Sequence, residues 1–306
     1  MNGKLVKFFH KALVYRDSLF ISTVILVFIL FRIPSLIEPY WYGDEGIYQV
    51  IGQAMREGRI LYSEIWDNKP PLLYVIYALF NGDLFYVRLA SAVSGVLSII
   101  FFFLLAKKLF KSRASIFISA TFYSILFGLP VLEGNIANSE NFMHLPIIAA
   151  FYLIVASQNK NRFLLTAVSG VLLSAAFLIK IVAIFDLAAL IISIFMLRFY
   201  EDMTLNGENI RAQIKNIVIS IEQETLLIIA FIFPIIITAL YFVFLQAFPD
   251  FYKAALSQNV GYVGHGNYFI FPMGFLFLKI ALLLFASFLI ARYRKILGPA
   301  GILILV

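Results

Sequence analysis

Long apolar runs are the feature that most constrains how this 306-residue chain can fold. Hydrophobic residues make up 62% of the sequence and charged residues only 13%, which gives a mean hydropathy of +0.93. A soluble domain must cover its surface with polar groups, so this composition indicates an integral membrane protein. Several runs approach the roughly 20 residues that cross a hydrocarbon core of about 30 Å as a helix. The sequence therefore predicts an all-α, polytopic transmembrane helix bundle.

The apolar runs and the charges between them predict about eight to nine spans. Basic residues collect in cytoplasmic loops, so the basic lead of the chain is placed in the cytoplasm, and the net charge of +7 is attributed to this topology rather than to nucleic-acid binding. A single helix over 163–197 would extend about 52 Å, so this run is divided into two spans near Lys180. The other predicted spans are 18–36, 84–109, 114–130, 141–156, 225–245 and 271–291.

The same topology places residues 37–83 outside the membrane as one large loop of a single membrane domain that covers 1–306. Helical spacing of apolar residues from Glu45 to Arg56 predicts a helix that lies at the interface. A second interfacial or partly re-entrant helix is expected over 70–80, where proline opens an apolar run. The chain stops inside a fresh apolar run that is too short to cross, so we expect the sequence to be incomplete at its C-terminus.

The outer loop concentrates the polar groups that can perform chemistry. Asp44 and Glu45 follow an aromatic stretch, and a carboxylate shielded at the membrane surface can accept a proton from a hydroxyl nucleophile. The alternative is that Asp44 caps the interfacial helix. Lys69 precedes Pro70 and Pro71, which hold it extended, so it can contact a lipid-linked phosphate as a point charge. The alternative for Lys69 is an ordinary cationic anchor at the interface.

Two further charged residues are expected near the outer surface. Arg88 lies near the outer end of a span, where it can reach the headgroups or pair with an acid of the first loop. Glu140 lies at the outer start of another span, where it can hold a metal ion, a sugar hydroxyl or Arg88. Capping of that helix from Ser139 competes with these roles for Glu140.

Three more polar residues interrupt apolar or glycine-rich sequence. The charge of Lys180 has a high free-energy cost inside a membrane unless the side chain faces a cavity or the outer headgroups, where it can bind an anion. Asp186 either pairs with Lys180 or lines the bundle, and it is left unassigned. His265 can ligate a metal or contact substrate, or it is an ordinary polar group of its glycine-rich loop.

Several function classes find no support in the sequence. It has no phosphate-binding P-loop, no dinucleotide fingerprint and no nucleophile elbow, so soluble nucleotide-driven chemistry is unsupported. It contains no cysteine, which leaves neither a disulfide framework nor a thiolate metal site. A membrane transporter or lipid flippase with a polar path at Lys180 and Asp186 is an alternative, although inverted repeats, which would favour it, are not evident. A non-catalytic membrane assembly factor is a further alternative.

The order of motifs resembles a known family. Four motifs are similar to those of membrane glycosyltransferases of the C superfamily. They are the Asp-Glu pair, the Lys-Pro-Pro before an apolar helix, the run VRLASAVSGVLSIIFFFLLAKKLF and the segment AFLIK. The closest in style are aminoarabinose transferases and protein O-mannosyltransferases, and the similarity covers most of residues 18–190. The resemblance implies transfer of a sugar from a polyprenyl-phosphate donor to a lipid, glycan or protein on the extracytoplasmic face, with inversion at the anomeric carbon.

The resemblance also implies roles for individual residues. Many relatives have an acid directly before the Lys-Pro-Pro, where this chain has Asn68 with Asp67 one place earlier, so a divalent metal ligand expected from that position is in question. Asp44 matches the catalytic base, with Glu45 as its partner, and Lys69 matches the lysine that contacts the donor phosphate. Glu140 matches an acid at the outer end of the fourth span, and Lys180 matches the lysine of the FLxK segment. The chemistry agrees, because Lys69, with Arg88 or Lys180, can supply the cations that stabilise a departing phosphate.

Overall fold

The computed structural model describes residues 3–39, 42–157, 162–201, 210–259 and 285. Every regular element in these residues is helical, and one isolated bridge joins Leu61 and Ile65, so the all-α class is confirmed for the described part of the chain. The helices are α1 (Gly3–Arg32), α2 (Gly43–Arg56), α3 (Pro71–Leu79), α4 (Leu84–Leu109), α5 (Arg113–Gly128), α6 (Ser139–Ser157), α7 (Arg162–Ile179), α8 (Ile184–Glu201), α9 (Ile210–Phe244) and α10 (Phe248–Phe251), which continues as a π-helix over Tyr252–Ser257.

Four described helices are long and apolar enough to cross a membrane: α4, α6, α7 and the Ile217–Phe244 part of α9. Two shorter apolar helices cover Arg113–Gly128 and Ile181–Phe195. These helices agree with a multi-pass membrane protein. The count of eight to nine spans stays a prediction, and the expected span 271–291 lies, except for Phe285, outside the described residues.

Contacts between α1 and α4 show that these two helices run in opposite directions. The Lys107 ammonium lies 2.6 Å from an Asp17 carboxylate oxygen, which joins the end of α4 to the middle of α1. At the other end of the pair, the Arg32 guanidinium donates to the Ser91 hydroxyl at 3.0 Å, near the start of α4. The last residue of α1 therefore lies beside the first turns of α4.

The helices α6 and α7 are antiparallel as well. Glu140, at the start of α6, forms an ion pair with Lys180, which follows the end of α7. At the opposite end, the Gln223 amide of α9 donates to both the Ser157 and the Thr166 hydroxyls at 3.1 Å. We call the end of the bundle that carries α2, α3, the starts of α4 and α6 and the end of α7 the site end.

The chain interrupts its longest apolar run where the sequence predicted. Helix α7 ends at Ile179, and Lys180 adopts an extended conformation with φ −152° and ψ 124°. A single 3₁₀ turn, Ile181–Ala183, then leads into α8. The break places the lysine at a helix end, where its charged head can leave the apolar packing.

The two short helices between α1 and α4 pack directly on one another. Helix α2 begins two residues earlier than predicted, at Gly43, and α3 lies within the predicted run 70–80. A Cβ atom added to Gly52 of α2 would lie 2.8 Å from the backbone carbonyl carbon of Tyr77 in α3, so only glycine permits this approach. The side chains of Tyr48, Tyr74 and Tyr77 are buried between the two helices.

The substitution Gly52→Ala is expected to lower the free energy of unfolding by about 1–3 kcal/mol, because the new methyl group forces α2 away from α3. The matched control is Gly46→Ala in the same helix, where an added Cβ meets nothing within 4 Å. That control is expected to be neutral or to stabilise the protein by up to about 1 kcal/mol. Thermal unfolding in detergent measures both effects, and equal stabilities of the two variants would contradict the proposed close contact.

Candidate active site

Asp44 lies in the first turn of α2 and is held by a tyrosine of the same helix. Its Oδ2 atom accepts a hydrogen bond of 2.9 Å from the hydroxyl of Tyr48, one helical turn further on. The residue before the helix is Tyr42, so Asp44 is not the cap, although the helix dipole favours its negative charge. Burial, and then the charge of Asp44, raise the pKa of Tyr48, so this hydroxyl stays a protonated donor.

Glu45 forms a fully buried ion pair with Arg88 of α4. Its two oxygens accept from Arg88 Nε at 3.0 Å and from Nη2 at 2.6 Å, and Oε1 also accepts from the backbone N–H of Ala137 at 2.7 Å. Arg88 Nη1 donates to the carbonyls of Ser35 and Glu38, each at 2.7 Å. Both side chains are 0% exposed. The structure therefore joins the two residues to each other and removes them from solvent.

Arg32, the last residue of α1, is a buried charged residue that the sequence analysis did not select. Besides Ser91, its guanidinium faces the carbonyl of Arg88 at 3.4 Å and the carbonyl of Ile136 at 3.5 Å. A basic residue at the end of an apolar run and two places before Pro34 was the available signal.

Lys69 lies in a segment whose backbone is held from both sides by buried tyrosines. Its N–H donates to the Tyr74 hydroxyl at 3.2 Å, and its carbonyl accepts from the Tyr62 hydroxyl at 2.7 Å. The ammonium lies 3.3 Å from the amide oxygen of Asn68 and is half-buried. The backbone of Lys69 is therefore fixed, whereas its ammonium has one weak neutral partner among the described residues.

Both carboxylate oxygens of Asp67, two residues before Lys69, accept local hydrogen bonds. Asp67 Oδ1 accepts from the N–H of Asn68 and Oδ2 from the Tyr74 hydroxyl, both at 2.7 Å. Asn68 carries a neutral amide at the position where the resemblance implied an acid, and no group of three His, Cys, Asp or Glu residues suited to a metal ion occurs in the described part of the chain. The described residues do not fit a divalent metal site, so no reaction step is assigned to a metal here.

Glu140 is paired with Lys180 rather than with Arg88. One oxygen of Glu140 bonds the Lys180 ammonium, and the other accepts from the Ser139 hydroxyl at 2.8 Å. The helix is capped by Asn138, whose side-chain oxygen accepts from the N–H of Asn141 at 2.9 Å, so Ser139 is not the cap. The Glu140–Lys180 pair is part-buried at the site end.

The remaining candidate residues do not join this cluster. Asp186 is half-buried in the first turn of α8, six positions after Lys180, which forms its ion pair with Glu140. The transporter alternative, with a path at Lys180 and Asp186, therefore gains no specific support. His265 lies outside the described residues.

Three segments meet around the packed rings of Tyr48, Tyr74 and Tyr77. Tyr48 of α2 packs edge-on against Tyr74 and Tyr77 of α3. The Tyr74 hydroxyl donates to Asp67, before α3, and the Tyr77 hydroxyl donates to the carbonyl of Ala137, before α6. Burial is the largest cause that raises the pKa of Tyr48, followed by Asp44 and by the charges of Asp67 and Glu140. Burial and the charges of Asp44 and Glu140 likewise raise the pKa of Tyr42. The start of α2, the segment before α3 and the start of α6 thus meet at the site end. Lys69 lies two residues after Asp67, and Lys180 forms an ion pair with Glu140.

The substitution Arg88→Gln is expected to lower the free energy of unfolding by about 3–5 kcal/mol, because it leaves the Glu45 carboxylate buried without a counter-charge. The matched control is Lys107→Gln, which breaks an ion pair of the same 2.6 Å length with a lysine that is 43% exposed. That loss is expected to stay below about 1 kcal/mol. Denaturant unfolding in detergent compares the two, and equal losses would contradict the dependence on burial.

Comparison with known proteins supplies the family context of this site. The family model described as "Dolichyl-phosphate-mannose-protein mannosyltransferase" matches residues 69–207, which include Lys69, Arg88, Glu140 and Lys180. Asp44 and Glu45 precede the matched residues. No solved structure matches the chain.

Two curated relatives share the name "Undecaprenyl phosphate-alpha-4-amino-4-deoxy-L-arabinose arabinosyl transferase". The protein from Pseudomonas savastanoi pv. phaseolicola is 30% identical over 201 residues, which are 60% of this chain and 36% of the relative. The protein from Pseudomonas paraeruginosa is 30% identical over 173 residues, which are 52% of this chain and 31% of the relative. The chain thus spans about a third of the length of these relatives. The resemblance to aminoarabinose transferases and protein mannosyltransferases of the glycosyltransferase C superfamily, which the sequence motifs indicated, is confirmed.

Proposed function

We propose that this protein is a membrane glycosyltransferase that moves a sugar from a polyprenyl-phosphate donor to an acceptor lipid, glycan or protein. The observation that carries the proposal is the meeting, around the packed rings of Tyr48, Tyr74 and Tyr77, of the oriented carboxylate of Asp44, the Asp67–Lys69 segment and the start of α6 with its Glu140–Lys180 pair. This arrangement combines a base with two lysines, which are the groups that transfer from a phosphate leaving group requires. The names of the relatives support a donor built on undecaprenyl phosphate.

In the proposed reaction, a hydroxyl or amine of the acceptor attacks the anomeric carbon of the donor sugar. Asp44 accepts the proton of the attacking group. The bond between the anomeric carbon and the phosphate oxygen breaks, and its electron pair leaves with the polyprenyl phosphate. Attack from the side opposite the phosphate inverts the configuration of the anomeric carbon.

The lysines act on the departing phosphate. Within the described part of the chain, the Lys69 ammonium contacts only an amide oxygen, at 3.3 Å, so a phosphate oxygen is a stronger acceptor for it. Lys180 lies at a helix break and exchanges the Glu140 carboxylate for the phosphate. Glu45 and Arg88, which were expected beside the base and the phosphate, are assigned instead to holding α2 in position, because they are buried against each other.

We place the site end on the extracytoplasmic face. The opposite end of the bundle carries the basic run at the end of α4 and the start of α5, namely Lys107, Lys108, Lys111 and Arg113. Basic residues of short loops concentrate on the cytoplasmic side, so the acids of the site end face outward and the N-terminus lies inside. A lipid-linked donor is available on that face without a nucleotide.

The substitution Asp44→Asn is expected to lower the rate of sugar transfer by about 10²–10⁴-fold, because the amide cannot accept the acceptor's proton. The full-length protein in lipid nanodiscs is given undecaprenyl-phosphate-linked sugars and a host membrane extract as acceptor, and release of undecaprenyl phosphate is measured. The matched control is Asp83→Asn, an exposed acid that caps α4 through the N–H of Tyr86. Transfer by the Asp44 variant at the wild-type rate would contradict its assignment as the base.

Deletion of the gene is expected to cause a polyprenyl-phosphate sugar to accumulate, because the donor is no longer consumed. Mass spectrometry of lipid-linked sugars and of cell-surface glycans measures this accumulation and identifies the sugar. Restoring the wild-type gene should reverse it, whereas the gene with Asp44→Asn should not. An unchanged profile in the deletion strain would contradict the proposed function.

A further inference from the structure

Three buried tyrosines at the site end each use their hydroxyl on the segments that carry the proposed base and the proposed phosphate-binding lysine. Tyr48 is 1% exposed, Tyr62 is 3% exposed and Tyr74 is 0% exposed. The Tyr48 hydroxyl donates to Asp44, and the Tyr62 hydroxyl donates to the carbonyl of Lys69. The Tyr74 hydroxyl donates to Asp67 and accepts from the N–H of Lys69. We propose that Tyr48 is the positioning residue for Asp44, and that Tyr62 and Tyr74 are the positioning residues for Lys69. This inference rests on the proposed function.

The role of Tyr48 follows from its bond to Asp44. A free aspartate side chain samples several rotamers, whereas the hydrogen bond of 2.9 Å selects the one in which Oδ2 meets the tyrosine hydroxyl. The Oδ1 atom of Asp44 is then held in one orientation and can accept a proton from the acceptor substrate. The Tyr48 ring itself is fixed, because it packs edge-on against Tyr74 and Tyr77 with ring centroids 5.9 and 5.6 Å apart.

The roles of Tyr62 and Tyr74 follow from the backbone of Lys69. Tyr74 accepts from its N–H and Tyr62 donates to its carbonyl, so both polar groups of this peptide unit are held by buried side chains. Pro70 directly follows and restricts Lys69 further. The backbone of Lys69 is therefore rigid, and only its side chain can adapt its conformation to the phosphate.

Backbone strain at Tyr62 supports a positioning role. Its φ is +73°, in the left-handed region that a bulky residue rarely occupies. This conformation is maintained by the bond from the Tyr62 N–H to the Ile65 carbonyl at 2.7 Å and by packing of its ring against Phe242 and Phe251. Conformations of this kind are unfavourable and persist where the surroundings enforce them, often at functional sites.

The two halves of this arrangement meet at the edge-on contact between Tyr48 and Tyr74. One tyrosine orients the base and the other orients the segment of the phosphate-binding lysine, so the packing of two rings sets the separation of the two groups. A correct separation is what converts bound reactants into a near-attack arrangement.

The test replaces each hydroxyl while keeping its ring. Tyr48→Phe is expected to lower the rate of transfer by about 10–100-fold, because the base loses its orientation, and to leave the dissociation constant for undecaprenyl phosphate unchanged. Tyr62→Phe and Tyr74→Phe are each expected to raise that dissociation constant by about 5-fold or more, because Tyr62 loses one hydrogen bond to the Lys69 segment and Tyr74 loses two. The full-length protein in nanodiscs is used for both measurements.

The matched control is Tyr77→Phe, a tyrosine of α3 that is equally buried and whose hydroxyl donates to the backbone carbonyl of Ala137. It reports the effect of losing one buried hydroxyl on thermal stability. A second measurement combines Tyr48→Phe with Asp44→Asn: if Tyr48 acts through Asp44, its substitution has no further effect on the rate once the carboxylate is gone.

The outcomes separate this inference from the proposed function. A rate effect confined to Tyr48→Phe and a binding effect confined to the other two variants would support it. Losses of rate and binding that simply follow thermal stability, as in Tyr77→Phe, or an additive double variant, would overturn it while the glycosyltransferase stands. A wild-type protein that neither binds undecaprenyl phosphate nor transfers sugar would overturn the proposed function itself.

Discussion

The buried ion pair between Glu45 and Arg88 is the interaction on which the arrangement of the site end depends. Removing two charges from water is costly, and the cost is offset only where the geometry is good and further hydrogen bonds complete it. Here the pair also bonds the N–H of Ala137 and the carbonyls of Ser35 and Glu38. The segment after α1, the start of α2, α4 and the segment before α6 must therefore come together at one point.

This pair also sets the rotation of α2. Successive residues of a helix point about 100° apart, so with Glu45 directed at Arg88 its neighbour Asp44 faces a different environment. That environment is the hydroxyl of Tyr48. Two adjacent acids with the same side-chain chemistry thus have different surroundings: Glu45 is paired with Arg88 in the protein interior, and Asp44 is half-buried, as the proposed role of a base requires.

Local patterns predicted elements well and left pairings open. The break at Lys180 followed from the length of its apolar run, and α2 followed from helical spacing. For Arg88 the sequence offered either Glu140 or an acid of the first loop, and the structure selects the second, namely Glu45. For Lys180 the sequence offered Asp186, whereas the structure pairs it with Glu140. Helical periodicity determines which residues share a face of one helix, but it contains no information on how two helices are rotated against each other.

The sequence by itself determined that the described chain is helical and apolar and where its longest run divides, because hydropathy and helical periodicity are local properties. It also predicted which short polar segments contain the candidate site residues. Its motifs also determined the family resemblance that the comparisons confirm. Only the tertiary structure decided that Glu45 and Arg88 are buried together, that Asp67 is held by Tyr74, and that tyrosines from α2 and α3 pack edge-on between Asp44 and Lys69. These contacts join residues that lie far apart in the chain or on different helices, and their geometry is set by the packing of whole helices.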